Sequence, residues 1–161
     1  MKSRFFEHCM AEIMELCGGY NDLKMRRMWN NSKMLSSDVS AAYDPMYAEV
    51  FEKRSSAFFG NGLVFNKFTG ARGKSGSNDA NAEYIAYLRR IFERENVNFQ
   101  TAELGRVDIG GGGTVAKYIA NLDIDTIDIG VPLLSMHAPM EIVSKADVYE
   151  AYLAYKAFLE N

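Results

Sequence analysis

The stretch DIGVPLLSMHAPME, from Asp128 to Glu141, indicates more about the fold than any other part of this chain. It begins as an apolar run with the composition of a buried strand. After Pro132, the chain delivers His137, one of only two histidines, into a predicted loop. Neutral imidazole is the commonest metal ligand in proteins, and a rigid strand can aim a side chain in the loop that follows it into a cleft. The stretch therefore predicts a strand that ends beside a candidate metal ligand.

On the N-terminal side of this run, segments with helical periodicity alternate with strand-like segments, and one more helix follows it. Helices are predicted over 3–17, 21–30, 79–95, 110–121 and 144–159, and strands over 33–38, 62–68, 97–102 and 124–131. Such alternation is typical of an α/β fold, with a central, mostly parallel or mixed sheet flanked by helices. No repeat and no internal boundary divides residues 1–161, so we expect a single domain.

The helical patterns also predict which faces are apolar and how the helices begin. The apolar stripes are Phe5, Phe6, Cys9, Ile13 and Leu16 in the first helix, Tyr84, Leu88, Ile91 and Phe92 in the third, and Val148, Tyr152, Tyr155 and Phe158 in the last. A cluster of Met25, Met28 and Trp29 is expected in the core. Ser3 and Asp79 are predicted N-caps, and Ser144 with Asp147 resembles a capping box in which Asp replaces Glu.

Composition excludes several functional classes. The chain has 161 residues, 48% hydrophobic and 24% charged, with a net charge of −3. This balance argues against nucleic-acid binding, and no apolar run approaches the roughly 18 residues of a membrane helix. The N-terminus does not have the pattern of a secretory signal. Cys9 and Cys17 would lie about 12 Å apart on a helix, too far for a disulfide. We therefore predict a cytoplasmic protein with neither nucleic-acid nor membrane partners.

Two polar residues are candidate metal ligands on the evidence of their local sequence alone. His137 is a lone histidine, which is more often structural than ligating, although Glu141 could share a helical face with it. Asp38 ends a predicted strand in a Ser-Ser-Asp setting. It is either the N-cap of a helix over residues 39–44 or an oxygen ligand for a divalent metal. The local sequence favours the N-cap.

Four consecutive glycines, Gly110–Gly113, precede Thr114 and resemble a phosphate-binding loop. Neither a P-loop nor a dinucleotide-binding motif accompanies them, so a tight turn into a helix is the better interpretation. The N-terminus of such a helix would still favour a substrate carboxylate electrostatically. No serine lies in a nucleophile elbow, and nucleophilic catalysis has little support.

Taken together, four segments resemble the aspartyl aminopeptidase and vacuolar aminopeptidase I family of zinc metallopeptidases. Residues 35–39 resemble its Ser-x-Asp metal segment, and 108–114 its Asp-x-x-x-Gly-x-Thr turn. Residues 123–131 resemble the strand that leads to its last ligand, and 134–137 its Ser-Met-His segment. The order and approximate spacing of the four are more specific than any one of them, and together they span essentially the whole chain.

The resemblance implies a di-zinc hydrolase that removes acidic or neutral N-terminal residues from peptides and assembles into large homo-oligomers, dodecamers in the family. Two zinc ions share a bridging aspartate, and a glutamate serves as general base. By the resemblance, Asp38 binds one zinc and His137 the other. It also suggests that Lys67, Gly112, Gly113 and Thr114 contact substrate.

The chain departs from the family pattern at its N-terminal side. The family's His-x-Asp segment, bridging aspartate and Glu-Glu pair should precede the Ser-x-Asp segment, yet residues 1–37 contain neither His-x-Asp nor Glu-Glu. Eukaryotic members carry histidines where this chain has Ala41 to Pro45. The resemblance therefore implies the C-terminal portion of one catalytic domain, with the N-terminal half and the dimerisation domain absent. The general-base glutamate would lie upstream of Met1.

Two functions follow as expectations. The first is part of a zinc aminopeptidase that is inactive without its N-terminal half, since most of the metal site is missing. The second is a catalytically dead remnant that serves as an interaction or assembly module. A phosphate-ligand-binding protein that uses Gly110–Gly113 is a third, weaker interpretation.

Overall fold

A computed structural model describes residues 3–66, 81–106 and 114–161. The helices are α1 (Phe5–Leu16), α2 (Asp22–Asn30), α3 (Ala82–Arg94), α4 (Ala116–Ala120) and α5 (Lys145–Leu159). The strands are β1 (Lys33–Ala41), β2 (Leu63–Asn66), β3 (Phe99–Ala102), β4 (Asp125–Leu134) and β5 (Ile142–Val143), and short 3-10 turns cover Pro45–Val50 and Lys53–Ser55. Each predicted element exists, and β5 was not predicted, so the α/β class is confirmed.

The sheet is mixed, in the order β1-β4-β2-β3, with β5 paired to the end of β4. Strand β4 is central: it runs parallel to β1 and antiparallel to β2, and β2 runs parallel to β3. Because β1 and β4 are parallel, their carboxyl ends meet at the same edge of the sheet. The segments that follow Asp38 and precede His137 therefore approach this edge together.

One face of the sheet forms the main core with α3 and α5. Strand residues Leu63, Phe65, Ile127 and Ile129 are buried against Tyr84, Leu88, Ile91 and Phe92 of α3, which is the stripe predicted for that helix. The predicted stripe of α5 is wrong in part, because Val148 and Tyr152 are exposed. Alanines 151, 154 and 157 face the core instead, since their small side chains let the helix approach the sheet closely.

In the predicted capping box at α5, the role of Ser144 is confirmed and that of Asp147 is wrong. The Ser144 hydroxyl accepts a hydrogen bond from the Asp147 N–H at 3.3 Å, as an N-cap should. The Asp147 carboxylate does not return to Ser144; it accepts bonds from the N–H groups of Gly60 and Gly62, both at 2.9 Å. Buried Asp147 therefore ties the turn before β2 to the first turn of α5.

The first two helices form a smaller cluster at the N-terminal end of β4. Met25 and Trp29 are buried against Ile124, and Met28 packs against them, which confirms the predicted core cluster. The apolar stripe of α1 has little cover, since Phe5 is 74% and Leu16 86% exposed. No helix among the described residues is long and apolar enough to cross a membrane.

The start of α3 is capped by a side chain that was not predicted, and α1 has no side-chain hydrogen bond from its N-cap residue. At α3, Asn81 accepts bonds from the N–H groups of Glu83 and Tyr84, whereas the predicted cap Asp79 lies outside the described residues. At α1, Arg4 occupies the N-cap position, and the Ser3 hydroxyl accepts a bond from the Phe5 N–H at 3.2 Å. Cys9 and Cys17 are both free thiols.

Candidate metal centre

Asp38 lies inside strand β1, in register with Gly130 of β4. The N-cap interpretation is therefore wrong: strand pairing continues through Ala41, and no helix begins at residue 39. The side chain is exposed, and its Oδ1 accepts a hydrogen bond from the Val39 N–H at 2.8 Å. An exposed carboxylate on a paired strand is held by a rigid element and remains open to a ligand.

Gly130 sets the spacing between β1 and β4 at this point. A Cβ atom built on it would lie 2.1 Å from the carbonyl oxygen of Asp38 and 2.6 Å from its carbonyl carbon. Any other residue would force the Asp38 backbone away from β4. The glycine therefore fixes the position of the candidate ligand opposite it.

His137 lies in the turn that joins β4 to β5. Ser135 (φ 60°) and His137 (φ 68°) both have left-handed backbones, and the chain reverses so that Leu134 pairs with Ile142. The imidazole is exposed. Glu141 does not share a helical face with His137, because this segment is a turn; its Oε1 accepts a bond from the His137 N–H at 2.6 Å. The carboxylate of Glu141 therefore braces the loop that carries the imidazole.

A carboxylate and an imidazole are donor types that suit zinc. Asp38 belongs to one strand of the parallel pair, and His137 follows the other. Within residues 3–66, 81–106 and 114–161, no group of three or more His, Cys, Asp or Glu side chains comes together. Asp38 and His137 are therefore of donor types that suit zinc, and the described residues show no complete metal site.

The sheet face that carries Asp38 also buries a polar row that sequence analysis missed. Ser36, Asp128 and Asn66 are paired in register across β1, β4 and β2, and all three are buried. Ser40 donates a hydrogen bond to the Asn66 Oδ1 at 2.9 Å. Among the described residues, the Ser36 hydroxyl and both carboxylate oxygens of Asp128 have no hydrogen-bond partner at normal geometry. The sequence contains a sign of this polar row, because Asp128 interrupts the apolar run of β4 two residues before Gly130.

Burial raises the pKa of the Asp128 carboxyl above its ordinary value. The hydroxyls of Thr114 and Ser36 lie near enough to oppose this rise in part, although neither forms a hydrogen bond of normal geometry with it. The negative charge of Asp38 raises the pKa further.

An apolar pocket of about 210 Å³ opens at the same edge of the sheet. Its described lining residues are Ala41, Ala42, Asp44, Tyr47, Val50, Phe51, Leu133, Ser135 and Met136. It begins three residues after Asp38 and ends one residue before His137. No lysine, arginine or histidine is among these described lining residues, which include the positions where eukaryotic members carry histidines.

The predicted substrate-binding residues are only partly covered by the structure. Lys67, Gly112 and Gly113 lie outside the described residues. Thr114 is half-buried just before α4, and its hydroxyl accepts a bond from the Ala116 N–H at 3.2 Å. The helix predicted over 110–121 is described only from Ala116 to Ala120.

A family model described as aminopeptidase I zinc metalloprotease (M18) matches residues 1–159. This chain belongs to the M18 family. A probable M18 family aminopeptidase 1 from Clostridium acetobutylicum is 63% identical over 161 residues, which are 100% of this chain and 35% of that protein. The chain therefore spans about a third of the length of its M18 relatives.

Solved M18 structures agree with the fold. The crystal structure of aminopeptidase I from Clostridium acetobutylicum matches with a TM-score of 0.88 at 59% identity, over 99% of this chain and 34% of that one. An M18 aminopeptidase from Thermotoga maritima matches with a TM-score of 0.93 at 40% identity, over 98% and 35%. The resemblance inferred from the four sequence segments is confirmed.

Proposed function

We propose that this chain supplies two ligands, Asp38 and His137, to the zinc centre of an M18 aminopeptidase that removes N-terminal residues from peptides. The observation that supports the proposal is the parallel pair β1 and β4, because Asp38 lies on one strand and the other strand leads into the turn that carries His137. Gly130 and Glu141 support it, because each holds the backbone beside one candidate ligand.

Zinc, when bound at such a site, polarises a peptide carbonyl and lowers the pKa of bound water. The chain's own residues have narrower tasks. Asp38 would offer one carboxylate from a rigid strand, and His137 one neutral imidazole from a braced turn. Thr114, Lys67, Gly112 and Gly113 would contact the substrate, as the family resemblance suggests.

The same proposal includes inactivity of the chain alone. Two ligands do not make a cocatalytic site, and the described residues offer no third donor beside them. Loss of a general base costs on the order of 10²–10⁴-fold in rate, and loss of most metal ligands should cost more. We therefore expect negligible hydrolysis by the 161-residue protein.

Complementation tests this function. The remaining portion of the Clostridium acetobutylicum relative, outside the matched segment, would be expressed separately and mixed with this chain and zinc. We expect hydrolysis of amino-acid anilides by the mixture, none by either part, and loss of the restored activity with Asp38→Asn or His137→Gln. Asp125→Asn is the control variant, since it removes a carboxylate from β4 away from both ligands. Zinc-dependent turnover by the 161-residue protein alone would refute inactivity, and full activity with both ligand variants would refute the site.

Association is the alternative role, and one observation favours it. Phe5, Phe6, Ile13 and Leu16 leave α1 with a largely exposed apolar stripe, and such surfaces mark sites of interaction. The stripe would contact the part of an M18 aminopeptidase that lies outside the matched segment, or other copies in a homo-oligomer. If mixing restores no activity yet the two parts co-elute in gel filtration, the interaction module becomes the better proposal. Cytoplasmic location stays a prediction.

A further inference from the structure

Strand β1 is one edge of the sheet and has few of the features that protect an edge strand. It is nine residues long and pairs with β4 over its whole length without a bulge or a proline. Edge strands are usually short, bulged, charged or covered, because an open edge pairs readily with another strand. The opposite edge follows this rule: β3 has four residues, and the Glu103 N–H that follows it donates to the Ser55 carbonyl at 2.7 Å. Within the described residues, β1 is therefore the less protected edge.

The hydrogen bonding at the end of β1 shows which of its backbone groups face away from the sheet. The N–H of Ala42 donates to the Leu133 carbonyl of β4 at 2.8 Å. The backbone groups of alternate residues point to opposite sides of a strand, so even-numbered residues face β4. The backbone groups of Leu35, Ser37 and Val39 therefore face outward.

This outward side is only partly occupied. Beyond the end of β1, Ala57 forms an isolated bridge with the chain. Farther back, the Val39 N–H donates to the Asp38 carboxylate at 2.8 Å, a side-chain substitute for a neighbouring strand. Among the residues that the structure describes, no strand pairs with Leu35 or Ser37 on this side. The middle of β1 is thus open to a further strand.

Helix α5 places an apolar side next to the same edge. Tyr155 is half-buried, and its phenol oxygen accepts a hydrogen bond from the Ser37 hydroxyl at 2.8 Å. Tyr152 and Val148, three and seven residues earlier, lie on the same side of the helix as Tyr155. They are 58% and 45% exposed. We call the open strand edge and this helix side the β1–α5 surface, formed by Leu35, Ser37, Val39, Val148 and Tyr152.

The length of M18 chains indicates what covers this surface. The 161 residues correspond to 35% of the Clostridium acetobutylicum relative, so most of that enzyme lies outside the matched segment. In the relative, both parts belong to one chain and fold together. The larger part is therefore the occupant that the β1–α5 surface fits best.

We propose that the β1–α5 surface docks a β-strand from the part of an M18 aminopeptidase that lies outside the matched segment. The strand would bond to the outward backbone groups of β1, as extended peptides add to open sheet edges. Its side chains on the α5 side would be apolar, because they would cover Val148 and Tyr152. Such cover explains why these two members of the predicted apolar stripe are exposed here. The inference goes beyond the proposed function and does not depend on zinc binding by Asp38 or His137.

Amide hydrogen exchange resolved to single residues tests the open edge. It would be measured in the 161-residue protein and in a chimera in which these residues replace the matched segment of the Clostridium acetobutylicum relative. We expect the N–H groups of Leu35 and Ser37 to exchange rapidly in the 161-residue protein and at least about 100-fold more slowly in the chimera. The N–H groups of Ser36 and Ser40, which face β4, are matched controls and should be protected in both.

Substitutions test the same surface by a second route. Proline is compatible with an edge strand where its missing N–H would face outward. Ser37→Pro should weaken binding of the separately expressed larger part about 10-fold, since one hydrogen bond and its strand contacts are lost. Ser37→Ala keeps the N–H and should change the affinity less than about threefold. Tyr152→Ser should also weaken binding, whereas Tyr152→Phe should not, and this pair decides the matter if Ser37→Pro does not fold.

Three results would overturn the inference. The first is slow exchange of Leu35 and Ser37 in the dilute 161-residue protein, which would mean that the edge is already covered. The second is protection that grows with protein concentration, which would assign the edge to a second copy of this chain. The third is unchanged exchange in the chimera, or full affinity of both Ser37→Pro and Tyr152→Ser. Failure of the zinc-ligand variants to affect activity would overturn the proposed function alone, because none of these readouts uses zinc.

Discussion

The two faces of the sheet differ in what their residues contribute. On one face, Phe65 and Ile129 pack against Phe92 of α3, and each buried side chain of this kind contributes roughly 1.5–3 kcal/mol to stability. On the other, Ser36 and Asp128 are equally buried, and their side-chain oxygens make no hydrogen bond of normal geometry within the part of the chain that the structure describes. Stability is therefore concentrated on one face and candidate chemistry on the other. The apolar face lets this chain tolerate a polar row that would be unfavourable by itself.

The largest effect should come from the apolar face. Phe92→Ala removes a fully buried ring that stacks on Phe65 with centroids 5.5 Å apart. We expect the free energy of unfolding to fall by about 3–5 kcal/mol in urea titrations. Arg90→Ala, on the exposed side of the same helix, should change it by less than about 0.5 kcal/mol. Equal effects of the two variants would show that α3 does not pack as described.

The second-largest effect should come from Asp147, a buried polar residue whose carboxylate does have hydrogen-bond partners. Asp147→Ala leaves the N–H groups of Gly60 and Gly62 without their acceptor. Loss of the acceptor for the buried Gly62 donor and the partly buried Gly60 donor should lower the free energy of unfolding by about 2–3 kcal/mol. Ser144→Ala, which removes only the N-cap, should lower it by about 1 kcal/mol. If Ser144→Ala is the more damaging variant, the bond to the turn before β2 is unimportant.

Gly130→Ala probes the polar face directly. The added methyl group would overlap the Asp38 carbonyl, so β1 must shift, and we expect a loss of at least about 1 kcal/mol in unfolding free energy. Zinc binding at Asp38 should weaken in the same variant. Val39→Ala removes exposed atoms one residue along β1 and should do neither. Unchanged zinc affinity in Gly130→Ala would separate the strand spacing from the metal site.

The smallest effect concerns pH. Burial raises the pKa of Asp128, so the folded chain keeps this proton at pH values where the unfolded chain has released it. Because the folded state then binds more protons, its stability falls as pH rises from the ordinary aspartate pKa through the raised one. The unfolding free energy of the parent, relative to Asp128→Asn, should therefore decrease across this window in urea titrations at successive pH values. A pH-independent difference would mean that the carboxyl has an ordinary environment.

Local pattern predicted the elements because periodicity and apolar runs are local properties. The third helix is the clearest case: its predicted stripe, Tyr84 to Phe92, is the one that packs on the sheet. The last helix shows the limit, since Ala151, Ala154 and Ala157 of α5 face the core whereas Val148 and Tyr152 of its predicted stripe are exposed. Side-chain size alone does not tell which face a partner element covers.

The candidate site was predicted less completely than the helices and strands, because its arrangement depends on contacts between distant parts of the sequence. Asp38 and His137 were candidates from their local sequence, which favoured a helix cap at Asp38, and only the family resemblance assigned both to zinc. The pairing of Asp38 with Gly130 and the isolation of Asp128 depend on strand register, which joins residues about 90 positions apart. No local rule gives that register. Asp128 within the apolar run of β4 was visible in the sequence, and the structure shows that its side chain is buried.

The central claim is that this chain supplies Asp38 and His137 to an M18 zinc site. The most direct test replaces the matched segment of the Clostridium acetobutylicum relative with these 161 residues, which are 63% identical to it. Peptidase activity and bound zinc would then be measured in the purified chimera. We predict chelator-sensitive aminopeptidase activity that Asp38→Asn and His137→Gln each abolish, with zinc content reduced, while Asp125→Asn retains both. An active chimera whose rate and zinc content survive both ligand substitutions would contradict the claim.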